Sequence, residues 1–310
     1  MITILIVFLA TILLAAYSQP RFAQWLLSNG TDLEAKLYGF TAHSQAVGQF
    51  TYHYWDNQRI NKPVLVLLHG FTADTMVWLR CAKHLQKDFR VIIPDLAGHG
   101  RTTFIESAGY SVPKQTERLH YFLHQLGIHE SVTIAGNSMG GFIAAQFALD
   151  YPNAVNKIIC VNPAGAMTDM LSPTQQMIQA GNNPFLMEDV RDFPQFYQLT
   201  MAKPPYFPGF LKTGIAHLYV EKKAQYEEIF NDFSNPEDLL NTRLTGIQCQ
   251  VLMLWGGLDQ IIHLSCAEVW RAHTDNITVI WEDLGHMPML ESPRLCALEI
   301  QRFLNGQLTT

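Results

Sequence analysis

Charge is scarce in this chain. Charged residues make up 15% of its 310 positions, and none occurs before Arg21. The 21 basic and 27 acidic side chains leave a net charge of −6, and no Lys/Arg cluster appears, which argues against nucleic acid as a partner. Cysteine is equally thin. Cys81, Cys160, Cys249, Cys266 and Cys296 are scattered without a CxxC pair or metal-ligand spacing, so they read as reduced core thiols rather than a disulfide framework. Internal repeats and low-complexity stretches are missing too. What remains is 48% apolar, enough to bury a sizeable core and to exclude general disorder. The length suits one large domain with an insertion, or two modest ones.

The longest uncharged run stands at the start. Met1 to Tyr17 reads MITILIVFLATILLAAY. As a helix rising about 1.5 Å per residue it would span about 26 Å, close to the hydrocarbon thickness of a bilayer. Two readings are open. An uncleaved membrane anchor suits the length, and Pro20-Arg21-Phe22 with Trp25, Leu26 and Leu27 would follow it as an interfacial segment, so that residues 1–28 form one unit. A cleaved signal peptide would use Ala16-Tyr17-Ser18, yet no basic residue precedes the apolar run. The anchor is the favoured reading. Arg21 and Lys36 on its C-terminal flank then place the rest of the chain on the cytoplasmic side, whereas cleavage would give a secreted protein.

From Phe50 onward, short β-branched runs alternate with helical patterns. Strands are expected at Phe50–Trp55, Val64–Leu68, Val91–Ile93, Val132–Ala135, Lys157–Val161, Val251–Trp255 and Ile277–Trp281. Helices are expected at Met76–Leu85, Lys114–Leu126, Met139–Tyr151, Leu264–Ala272 and Pro293–Leu304. Continuous apolar strands imply burial on both faces, hence an α/β fold with a mostly parallel sheet and helices on both sides. The alternation breaks between Asn162 and Arg243, a stretch holding eight of the fifteen prolines and eleven aromatics. Proline at that density cuts helices short and forbids regular sheet. Residues 163–243 therefore read as a helical cap inserted into a core made of 29–162 and 244–310.

The chemistry centres on Gly136-Asn137-Ser138-Met139-Gly140, a G-x-S-x-G motif between an expected strand and an expected helix. A serine on such a turn has its hydroxyl thrust outward, and the helix N-terminus behind it offers free N–H groups to a developing oxyanion. Serine needs a neighbouring base, itself oriented by a third group. In this architecture the chain order is Ser, acid, His, each beyond a core strand. Asp259 follows the strand Val251–Trp255, and His286 follows Ile277–Trp281. His263 and His273 also come after Asp259, but each falls in or beside a helix. Glu282 and Asp283 stand too near His286 to fill a separate strand-end position.

The oxyanion donors expected are the backbone amides of Met139 and Phe71, the latter in the His69-Gly70-Phe71-Thr72 loop after another strand. His69 reads as a brace for that loop, and Asp95 to Gly100 as a tight strand-end turn. His120 and His124 have metal-compatible spacing but no third ligand, so they read as surface histidines. No metal and no cofactor is called for.

Four stretches resemble the α/β-hydrolase superfamily, and most closely the membrane-anchored monoacylglycerol lipases with related bacterial lipases and esterases. They are His69 to Ala73 with Trp78, Asp95 to Thr103, Gly136 to Gly141, and Trp255 to Gln260 with Gly285 to Pro288. The resemblance implies the α/β-hydrolase fold and a serine-dependent carboxylic ester hydrolase, lipid esters such as monoacylglycerols being its small-molecule substrates. It implies an acyl-enzyme route through Ser138, Asp259 and His286. Serine at 138, where some relatives carry aspartate, sets the chain apart from haloalkane dehalogenases and epoxide hydrolases. The alternatives are a carbon–carbon bond hydrolase or peptidase of the same fold, or a catalytically silent member that binds a hydrophobic ligand.

Overall fold

The structure, a computed structural model, describes residues 19–308. The anchor expected at Met1–Tyr17 lies outside the described residues. Among the described residues, no helix is long and apolar enough to cross a membrane. The chain is first seen entering an 18-residue helix, α1 (Pro20–Leu37), with proline in its first turn, where a missing N–H costs nothing.

Eight strands follow: β1 (Thr41–Val47), β2 (Phe50–Asp56), β3 (Val64–Leu68), β4 (Arg90–Pro94), β5 (Val132–Asn137), β6 (Val155–Val161), β7 (Gln250–Gly256) and β8 (Asn276–Trp281). They form one sheet in the order β1-β2-β4-β3-β5-β6-β7-β8, antiparallel from β1 through β2 to β4 and parallel from β4 through β8. Parallel neighbours need long crossovers, and helices supply them. The crossover helices are α2 (Met76–Leu85), α3 (Val112–Gln125) and α4 (Met139–Asp150). Between β6 and β7 lie α5 (Pro173–Gln179), α6 (Phe193–Thr200), α7 (Gly209–Glu221) and α8 (Lys223–Phe233). The chain ends through α9 (Cys266–His273), α10 (Pro288–Glu291) and α11 (Pro293–Leu304).

The two-residue period of a strand divides the core. Leu65, Leu67, Val91, Ile93, Ile159 and Leu252 face α2 and α11, meeting Trp78, Cys81, Cys296 and Phe303. Val66, Leu68, Ile92, Ile134, Ile158 and Met253 face the opposite way, towards Phe122, Phe142, Phe147 and Trp270 on α3, α4 and α9. Helices on both faces explain why the central strands read as unbroken apolar runs.

Two elements differ from the sequence reading. β1 is polar and largely solvent-facing, so no apolar pattern marks it; its pairing with β2, from Thr41↔Asp56 to Val47↔Phe50, makes it a strand. A single helix also runs through position 28, where the sequence suggested a boundary. Asn29-Gly30 looks like a stop, but contacts on both sides of it hold α1 down. Ala23 packs so closely on α7 that a Cβ at Gly214 would come 2.8 Å from its own. Further along, Arg101 pairs with Asp32 at 2.6 Å and Arg80 with Glu34 at 2.9 Å.

Candidate active site

The sharp turn between β5 and α4 carries Ser138 at φ +56° and ψ −119°, a left-handed backbone that side chains other than glycine rarely adopt. Its neighbours make the turn possible. A Cβ at Gly136 would lie 2.1 Å from the Gly140 carbonyl oxygen, and one at Gly140 would lie 2.5 Å from that of Leu68. Neither position has room for a side chain. The backbone is then pinned: Ser138 N–H donates to Val161 O at 3.1 Å, and Ser138 O accepts from Phe142 and Ala164. Strain held this firmly is typical of functional turns.

Asp259 and His286 meet behind that serine. The His286 ring donates from Nδ1 to Asp259 Oδ2 at 2.8 Å, with the ring 6% and the carboxylate 0% exposed. A carboxylate has no proton to give, so Nδ1 carries it and Nε2 keeps its lone pair. The same carboxylate accepts from Asn162 Nδ2 at 2.7 Å and from the Ile261 and Ile262 amides at 2.7 and 3.0 Å. Four donors on one buried carboxylate leave it little freedom to turn. No hydrogen bond joins Ser138 Oγ to His286, although both line one cavity. Such bonds are commonly long before substrate binds.

Three positioning residues escaped the sequence reading. Asn162, at φ +43°, donates to Asp259 and accepts the Gly256 amide at 3.1 Å. Asn137 donates from Nδ2 to His286 O at 3.0 Å and to Val161 O at 3.1 Å, tying the histidine loop to β6. Glu291 on α10 accepts the amides that flank His286, Gly285 at 2.9 Å and Met287 at 3.3 Å. A polar residue closing an apolar strand was the available signal for Asn162. Glu291 had none, because its partners are backbone groups.

The rival candidates are occupied elsewhere. His263 Nδ1 bonds Ser265 Oγ at 2.8 Å, and His273 Nδ1 donates to Val269 O at 2.7 Å. Asp283 is exposed and paired with Lys203, which holds its carboxyl below the usual range, while Glu282 faces solvent. His120 stacks on Tyr151 with ring centroids 3.9 Å apart.

The loop after β3 lies against the serine: a Cβ at Gly70 would be 3.1 Å from Ser138 Cβ. His69 braces it, donating from Nδ1 to Gly70 O at 2.8 Å and accepting the Leu96 amide on Nε2 at 3.0 Å. Burial lowers the pKa of His69, in keeping with this neutral ring. Thr72 sits at φ +61° and shares a 2.9 Å hydrogen bond with the Tyr219 hydroxyl of α7. The Phe71 side chain enters an aromatic cluster with Phe185, Tyr226, Phe230 and Phe233. Beside this loop, Asp95 accepts the Thr75 and Arg101 amides at 2.9 Å each. Burial, reinforced by Asp74, pushes its carboxyl up to about 7.

Ser138 and His286 open into a cavity of about 330 Å³ with two characters. Phe71, Phe185, Phe193, Phe196 and Tyr219 line its apolar part; Gln24, Ser28 and Thr31 of α1, with Arg101 and Lys222, contribute polar lining. A greasy chain and a polar headgroup could both be housed there.

Comparison with known proteins agrees with this architecture. A family model described as "alpha/beta hydrolase fold" matches residues 63–202. Lipase 1 of Psychrobacter immobilis is 30% identical over 85% of this chain and 82% of its own. The chain belongs to the α/β-hydrolase family. This hydrolase is also 26% identical to monoacylglycerol lipase abhd6-A of Xenopus laevis, over 81% of this chain and 77% of that one. A crystallised membrane phospholipase A, described as a bacterial virulence factor, superposes with a TM-score of 0.89 and 31% identity, covering 99% of each chain. With lipases and esterases among its relatives and structural neighbours, it is an ester hydrolase.

Proposed function

We propose that the hydrolase cleaves lipid esters, monoacylglycerols foremost, through an acyl-enzyme formed on Ser138. The observation that carries this reading is the buried His286–Asp259 pair, 2.8 Å apart, whose histidine lines the same cavity as a serine held at positive φ. Ser138 Oγ attacks the acyl carbonyl while His286 Nε2 takes its proton. Asp259 stays ionised, fixes the tautomer and stabilises the imidazolium. The amides of Met139 and Phe71 receive the oxyanion; the Met139 amide belongs to the free N-terminus of α4, and Gly70 brings the Phe71 loop against the serine. His286 then protonates the departing alcohol, and water releases the acid by the same steps in reverse. No metal or cofactor enters this scheme.

Residues 163–243 act in it as a cap, since α6 and α7 contribute Phe193, Phe196 and Tyr219 to the cavity. The substrate is drawn from a membrane to which Met1–Tyr17 anchors the chain, with the catalytic part on the cytoplasmic side. Its support is the outward stripe of α1, where Trp25, Leu33 and Leu37 are 58%, 60% and 75% exposed on the helix whose inner face lines the cavity. A monoacylglycerol lipase and a membrane phospholipase A among the similar proteins support the same class of substrate.

A fluorophosphonate probe tests the nucleophile. Peptide mapping should find the adduct on Ser138, and labelling of any other residue, or none, would defeat the assignment.

A further inference from the structure

Behind the acyl end of the site a second space opens. An outer cavity of about 450 Å³ lies in the seam between α6 and α7, lined by Pro194, Gln198, Lys212, Thr213 and Ala216 with their neighbours. The linings of the two cavities have two side chains in common, Phe193 and Tyr197. These stand one helical turn apart on α6, ring centroids 5.7 Å from each other, with Phe193 also edge-on to Tyr219 at 5.9 Å. A pair of rings is therefore the wall between the spaces.

The wall is lightly fastened at Tyr197. Its hydroxyl reaches Pro205 O only at 3.5 Å, the outer limit of a hydrogen bond. From the outer side the ring is held by a cation–π contact alone, the Lys212 ammonium lying 4.4 Å from the ring centroid. Helix α6 itself is eight residues long and has no side-chain cap of its own, the cap at this end being that of Asp189 on the 3-10 turn Val190–Asp192 that leads into it. Short elements with few anchoring bonds open most readily.

The inner cavity, at about 330 Å³, is small for a long acyl chain; ligand pockets run from about 300 to 1,000 Å³. The geometry points to the α6–α7 seam as a lateral acyl portal, with Phe193 and Tyr197 as its plug and as the residues that set the chain-length limit. Short acyl groups are held within the inner cavity. Longer ones displace the Tyr197 ring and run on between Pro194 and Ala216, where their methylenes stay out of water. This inference rests on the reading that Ser138 is acylated within the inner cavity.

The test is the ratio of kcat/KM for long (C16) over short (C4) p-nitrophenyl esters in the full chain. Tyr197→Ala should raise that ratio by on the order of tenfold, since each pocket contact of this size discriminates by about 10–200-fold. Thr213→Trp fills the outer cavity from an exposed position of α7 that does not touch the inner one, and it should lower the ratio. A merely structural role for Tyr197 would leave Thr213→Trp without effect. An unmoved ratio in both variants overturns the portal. Ser138→Ala is run beside them: if it abolishes hydrolysis while the ratios stay fixed, the portal alone fails, whereas surviving hydrolysis overturns the triad instead.

Discussion

Ser138, His286 and Asp259 are the proposed triad, and in such a unit single atoms decide the outcome. Replacing Ser138 or His286 by alanine should each lower ester hydrolysis by on the order of 10⁴-fold or more, because the two act as a unit. Asp259→Asn should cost on the order of 10³–10⁴-fold by favouring the wrong imidazole tautomer, while Asp283→Asn, whose carboxylate sits on the surface with Lys203, should cost little. Purified variants of unchanged circular dichroism supply the measurement; near-normal turnover in the first two would sink the triad. Asp95 poses a different question, one of stability. Its buried carboxyl is pushed up to about 7, so between about pH 4 and 7 the folded chain holds a proton that the unfolded chain has lost. Stability from this group therefore falls as pH rises through that window. Urea unfolding of wild type and Asp95→Asn should show the difference between them moving against the wild type, by up to a few kcal/mol, from about pH 5 to about pH 8. A pH-independent difference would mean that the amides of Thr75 and Arg101 hold the carboxylate ionised throughout.

Helix α1 shows how weak local signals become a firm element. Its ion pair between Arg101 and Asp32 is 39% and 30% exposed at the two side chains, so solvent screens it and Asp32→Asn should cost less than about 1 kcal/mol. The close approach of Ala23 to Gly214 is dry and tight. Ala23→Leu should cost about 1–3 kcal/mol by overpacking that contact, with part of the loss seen as detachment of the helix from α7. Urea midpoints measure both, and the opposite ranking would show that charge rather than packing holds α1. The strand β1 makes a related point. Its residues carry no apolar alternation, and the pairing with β2 alone makes them extended. Elements of the central sheet were readable because burial on both faces writes itself into composition; elements at the edge and the N-terminus were not, because their stability comes from partners remote in the chain.

Taken whole, the molecule exposes Trp25, Leu33 and Leu37 along α1, the helix that follows the uncharged run Met1–Tyr17 in sequence. If that run is an uncleaved anchor, full-length protein should stay in the membrane pellet through high-salt and carbonate washing, since apolar burial is insensitive to ionic screening. A chain starting at Gln19 keeps α1, and with it the Gln24, Ser28 and Thr31 lining of the cavity. It should hydrolyse short soluble esters yet lose rate on bilayer-embedded monoacylglycerol. Release of the full-length protein by carbonate, or a mature N-terminus near Gln19, would turn the anchor into a signal peptide. The sequence by itself determined the parallel sheet and the turn that raises the serine, because buried strands and a glycine-bounded elbow each demand particular residue types at short range; it also offered the order Ser138, Asp259, His286 on which the proposed triad rests. Tertiary structure alone decided the rest. Asn162 and Glu291 became positioning groups, α1 became part of the cavity wall, and Phe193 with Tyr197 came to divide two spaces. Each depends on partners brought close by the fold across tens of residues or more, or, for Glu291, on backbone amides that no side-chain pattern reveals.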